Sequence, residues 1–180
     1  MKLRLVGLSA LGFAVCLVFS AAAQIERIAV GEVVATIDAA PYRGETLEVP
    51  SEGTSTAEVR SFGPVSSVSI QAHDPDSDSI MRNVLSIELT LMGSDASAAL
   101  TGASVSWWPE GMNEPFYLSE GSGTDPEVAI DSLSLDNGDA AVAGSFSARV
   151  CRTDSFFSEV DTGDCITVEG NFDTALGKAD

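Results

Sequence analysis

Two segments near the C-terminus decide how the chain reads: AVAGSFSARVC, Ala141 to Cys151, and CITVEGNF, Cys165 to Phe172. Each alternates apolar and polar residues, the mark of a strand with one buried face. With Cys151 across from Cys165 in antiparallel register, Val150 faces Ile166, Ala148 faces Val168, Phe146 faces Gly170 and Gly144 faces Phe172. On the opposite face Arg149 meets Thr167 and Ser147 meets Glu169. A slip of one residue would turn the charges inward and the apolar side chains outward. Each glycine also stands opposite a phenylalanine, whose ring can cover bare backbone. The cysteine pairing and the hydrophobic pattern are independent constraints, and they agree on one register. A Cys151–Cys165 disulfide would close a loop of about 15 residues, worth roughly 3 kcal/mol by chain entropy.

Working outward, DNGD (Asp136–Asp139) separates this hairpin from an earlier alternating run. Asn-Gly suits a two-residue turn whose central positions both need positive φ. It places Leu135 near Ala140 and Leu133 near Val142, so residues 127–173 read as a three-stranded meander. An acidic excursion from Arg152 to Asp164 interrupts it. Upstream, EVVATID, ETLEVP, TAEVRSF, SVSIQAH, SIELTLMG, ASVSW and PFYLS alternate in the same way. Clusters such as APYRG, PSEGTS, FGP, HDPDSDS, GSDASA, PEGMNEP and EGSGTDPE separate them. No helical period follows the N-terminal segment. The expected fold is all-β, an antiparallel two-sheet sandwich with a barrel as the alternative, over residues 24–180 as one domain.

The pair Gly144-Ser145-Phe146 and Gly170-Asn171-Phe172, set in IDSLSLDNGDAAVAGSFSARVC and CITVEGNFDT, resembles the C-terminal hairpin of uncharacterised secreted bacterial β-sandwich proteins with a G-[ST]-F … G-x-F pattern. The resemblance covers about the last third of the chain. It implies a secreted sandwich without catalytic activity. Those relatives are often lipid-anchored, and the N-terminus departs from them in that respect.

That N-terminus, MKLRLVGLSALGFAVCLVFSAAAQ, has a basic start, an apolar run and then Ala21-Ala22-Ala23. These are the parts of a signal peptide cleaved after residue 23. The apolar run is short for a membrane span of about 20 residues. Val15, before Cys16, is not the small residue that precedes a lipid-modified cysteine, so a lipid anchor is the lesser alternative. The net charge is −18; losing Lys2 and Arg4 leaves seven basic against 27 acidic residues, or −20. Such a surface repels phosphates, which argues against nucleic acid and anionic lipid as partners. An apolar fraction of 44% separates it from disordered acidic tails. An extracellular or periplasmic location would oxidise Cys151 and Cys165; their spacing fits no zinc pattern.

Three stretches could carry chemistry. HDPDSDS (His73–Ser79) holds the chain's one histidine and the D-x-D-x-D opening of a calcium loop, Asp74, Asp76 and Asp78. Ser79 stands where an EF-hand needs glycine and Leu85 where it needs a bidentate glutamate, so no EF-hand is present. Two readings stay open: a looser calcium site completed by a group such as Glu88, or a solvated acidic turn. His73 would be the base of any serine triad, but no G-x-S-x-G elbow accompanies it. SWWPEGMNEPFY gathers Trp107, Trp108, Phe116 and Tyr117. Adjacent strand residues point to opposite faces, so one tryptophan fills the core, and the other either is exposed or caps the barrel end under the loop; alternation does not say which is which. Trp108 with Tyr117 across the turn could then stack on a sugar. No phosphate-binding glycine loop occurs. The 27 acidic residues offer many carboxylate pairs for glycoside hydrolysis, which makes the signal uninformative. The expectation is a non-catalytic, secreted or periplasmic protein with a binding or structural role and no required cofactor. A carbohydrate-binding module is the first alternative and a small hydrolase the second.

Overall fold

The computed structural model describes residues 25–93, 95, 97–136 and 138–178. The signal segment, Cys16 and Asn137 of the expected hairpin turn lie outside these. Strands form β1 (Ile28–Ile37), β2 (Ala40–Val49), β3 (Thr54–Ser55), β4 (Ala57–Phe62), β5 (Val65–His73) and β6 (Val84–Met92). They continue as β7 (Ala99–Trp108), β8 (Phe116–Leu118), β9 (Glu127–Ser134), β10 (Ala141–Thr153), β11 (Asp161–Ala175) and β12 (Gly177–Lys178). The protein is all-β, and no described helix is long and apolar enough to cross a membrane.

The register read from the cysteines holds from Ala141↔Ala175 to Cys151↔Cys165. The two sulfurs are bonded. Phe146, Ala148, Val150, Val168 and Phe172 are buried, while Arg149, Thr167 and Glu169 are exposed. β9 joins β10 as expected, with Leu133 opposite Val142. The excursion is shorter than expected: a bulge after Cys151 lets Arg152 pair with Asp161, leaving only 154–160 outside the strands.

The two glycines differ. A Cβ on Gly144 would lie 2.8 Å from Phe172 Cζ and against the Ala129 carbonyl, so the ring does cover this backbone. At Gly170 the space is taken by Val34 and Ala35 of β1, not by Phe146. β1 lies against β11, with Ala35 opposite Gly170, and passes the ladder on to β2. Gly31 serves likewise: Thr46 and Thr174 flank it, and their buried hydroxyls meet at 2.7 Å.

APYRG, expected as a turn, lies inside β2. Pro41 is tolerated because β2 pairs with β5 only at Glu45↔His73, so its missing N–H faces no ladder there. Tyr42 and Gly44 are buried instead, with Gly44 packed against Ala72.

The pairings run β5-β6-β7-β8-β10-β11-β1-β2 and return to β5 through that single bridge. All are antiparallel except β12 on β4. Sandwich and barrel meet in this sheet, which curls until opposite stretches share one core. Val33, Ile37, Val68, Ile70, Leu85, Ile87, Leu89 and Val105 fill it with the β10–β11 residues. Antiparallel alternation puts the 38–39, 74–83, 109–115 and 154–160 connections at one end of the ring, the loop end. Because interiors are close-packed, Gly144→Ala should cost about 1–3 kcal/mol in urea denaturation. Gly102→Ala, whose new carbon meets nothing nearer than 3.7 Å, should stay within about 0.5 kcal/mol of wild type.

Candidate functional site

The loop end gathers His73, Asp74, Asp76, Asp78, Trp107, Trp108, Phe116 and Tyr117, but not Glu88. It is built in two layers because each strand alternates its side chains. On the inner face Leu85 stands across from Trp107, Trp107 from Tyr117, and Tyr117 from Arg152. Trp107 and Tyr117 stack with centroids 5.5 Å apart and pack on the core. On the outer face Glu45, His73, Val84 and Trp108 form a row across β2, β5, β6 and β7. Phe116, Val84 and Trp108 make a second small cluster, and Phe156 lies 4.6 Å from the Phe116 ring.

The two tryptophans do point to opposite faces. Trp108, the ring that the sugar-binding alternative needs exposed, is buried. Strand alternation gives the face of a side chain but not what packs beside it, and here Val84, Phe116 and Leu118 pack with the indole. Tyr117 is half-buried beside Trp107, so an open Trp108–Tyr117 platform does not form. Burial pushes the Tyr117 hydroxyl pKa up; Asp164 and Asp38 add to this and Arg152 opposes it.

HDPDSDS is an internally bonded turn. Asp74 Oδ1 accepts from the Asp76 amide at 2.9 Å, and its Oδ2 accepts from Asn83 Nδ2 at 2.7 Å. Asp76 and Asp78 point into solvent. Among the described residues no group of three His, Cys, Asp or Glu side chains converges as metal ligands. Glu88 lies mid-strand and accepts from Ser69 Oγ at 2.6 Å; burial raises its pKa above the usual carboxylate range. His73 is buried and donates Nδ1–H to Ile80 O at 2.6 Å, which ties the loop down. Desolvation lowers its pKa, which favours the neutral ring. Its Nε2 and Trp108 Nε1 are buried without a partner among the described residues.

Asn83 is the residue that sequence reasoning missed. It holds φ 52°, a left-handed conformation that asparagine tolerates better than most residues. Its side chain links Asp74 to Trp107, whose Nε1 donates to Asn83 Oδ1 at 2.9 Å. Its carbonyl and that of Ala72 lie 3.1 and 2.8 Å from the Tyr42 hydroxyl, whose pKa burial pushes up. One residue thus couples the acidic turn, the aromatic stack and the core. Among the described residues the other non-glycine positions at positive φ, Asp38 and Ala39, form the β1–β2 turn at the same end. Backbone held in sparsely populated regions gathers where structure serves function. An NG-type signal marks such positions; Asp-Ala and Asn-Val do not.

The opposite end holds a groove of about 560 Å³, lined by Glu48, Ser55, Glu58, Asp139, Leu176 and Lys178 among others. No aromatic ring lines it. No protein-family model, curated protein or solved structure matches this chain.

The bonding around Asn83 sets an order for its variants. Asn83→Gly keeps the left-handed backbone and loses the two side-chain bonds, about 1–3 kcal/mol by thermal or urea denaturation. Asn83→Ala adds the left-handed penalty of about 1–2 kcal/mol and should be the less stable of the two.

Proposed function

We propose that this is a non-catalytic binding protein of an extracytoplasmic compartment, which engages its ligand through the loop end. One observation carries the reading: strained backbone, stacked aromatic rings and exposed apolar side chains converge at one end of a continuous sheet. Loops positioned by a rigid scaffold are the usual carriers of recognition. The Cys151–Cys165 disulfide is compatible with an oxidising compartment. The signal-like N-terminus and the acidic surface favour the same location.

The geometry speaks less for a hydrolase. His73 has its Nδ1 committed to Ile80 and its imidazole buried, which leaves it a poor general base. A glycan reading keeps Tyr117 and would rely on Trp107 in place of Trp108. Its difficulty is that each ring turns a face to the other.

Amide shifts of the labelled, oxidised protein test the reading against soluble oligosaccharides, basic peptides and acidic peptides in turn. The expected result is that a binder moves amides in 38–39, 74–83, 109–115 and 152–164. Shifts centred on the groove around Leu176, or turnover of an oligosaccharide, would overturn it.

A further inference from the structure

Nine large hydrophobic residues are exposed among the described residues, and four lie on the loop end: Met81, Met112, Phe156 and Phe157. Phe157 is as exposed as in an open chain, although it sits in a segment held between two paired strands by the nearby disulfide. Phe156 is anchored on Phe116 beneath it. The 79–83 and 109–111 segments adjoin: the Asn83 amide donates to Pro109 O, Arg82 pairs with Glu110, and Gly111 packs against the Met81 carbonyl. Three loops therefore present two methionines and two phenylalanines around one end of the molecule. Methionine and phenylalanine suit a surface that accepts varied apolar shapes.

The charge around this apolar group is one-sided. The segments 74–83, 109–115 and 152–161 carry eight carboxylates, from Asp74 to Asp161, against two guanidinium groups, Arg82 and Arg152. Both arginines are paired, with Glu110 at 3.4 Å and Asp154 at 3.5 Å. Exposed apolar side chains on loops this rich in carboxylates complement an apolar surface flanked by Lys and Arg. It repels the head groups of anionic lipid.

Resting on the binding role proposed above, we infer that the loop end docks a cationic amphipathic polypeptide segment, with Phe157 as the apolar anchor and the loop carboxylates fixing its orientation. Aromatic anchors inside a polar rim dominate such interfaces.

The test is titration calorimetry of the oxidised protein with a synthetic leucine-lysine helix of about four turns. A leucine-glutamate helix of equal length and neutral phosphatidylcholine vesicles are the comparisons. The lysine peptide should bind, and the glutamate peptide and the vesicles should not. Phe157→Ser should weaken binding by about tenfold or more. It leaves the fold intact because the ring touches solvent alone, and Met112→Ser should act in the same direction. Binding should also weaken as salt is raised. Absence of lysine-peptide binding, equal binding by Phe157→Ser, or a preference for the vesicles would overturn the inference. Shifts at the loop end with an oligosaccharide, but none with the lysine peptide, would remove this partner class and leave the binding role standing.

Discussion

The pairing of β10 with β11 is the constraint on which the rest depends. It is the longest ladder, it carries the disulfide, and its inner face supplies Phe146, Val150, Val168 and Phe172 to the core. β1 can approach only because Gly170 leaves room for Ala35, and β9 only because Gly144 leaves room for the Ala129 carbonyl. β8, three residues long, connects β7 to the ring by pairing with Cys151, Arg152 and Thr153 at the far end of β10. One ladder thus fixes both sides of the sheet and the mouth from which the loops project.

That ladder also sets the position of the loop end. The strands deliver His73, Val84, Trp108 and Phe116 to one outer row and Trp107 and Tyr117 to one inner row. Side-chain hydrogen bonds then finish the loops: His73 to Ile80, Asp74 to Asn83, Asn83 to Trp107. In HDPDSDS the Asp74 carboxylate bonds within the loop, while Asp76 and Asp78 are at the surface. Backbone and side-chain satisfaction of this kind is what makes a loop a defined surface.

Much of the fold was legible because β structure writes itself with a period of two. The cysteine register, the meander from 127 onward and the opposed tryptophans all follow from that period. Three features were not legible. APYRG looks like a turn from composition, but Pro41 lies on a stretch of β2 without a partner on its second side. Alternation opposes Trp107 and Trp108 but does not say what buries the outer ring, which packs with Val84 and Phe116 of neighbouring strands. Asn83 carries no motif, because its role comes from Asp74, Trp107 and Tyr42, three partners that only the folded chain brings together. In each case long-range packing overrode a local signal.

Native-state hydrogen exchange of the oxidised protein tests the central claim most directly. If the β10–β11 ladder is the spine, its amides exchange only through global unfolding, while the loop segments and the short edge strands open at lower free energy. Amides of β10 and β11 that exchange through local opening, more readily than those of β5 and β6, would contradict the account.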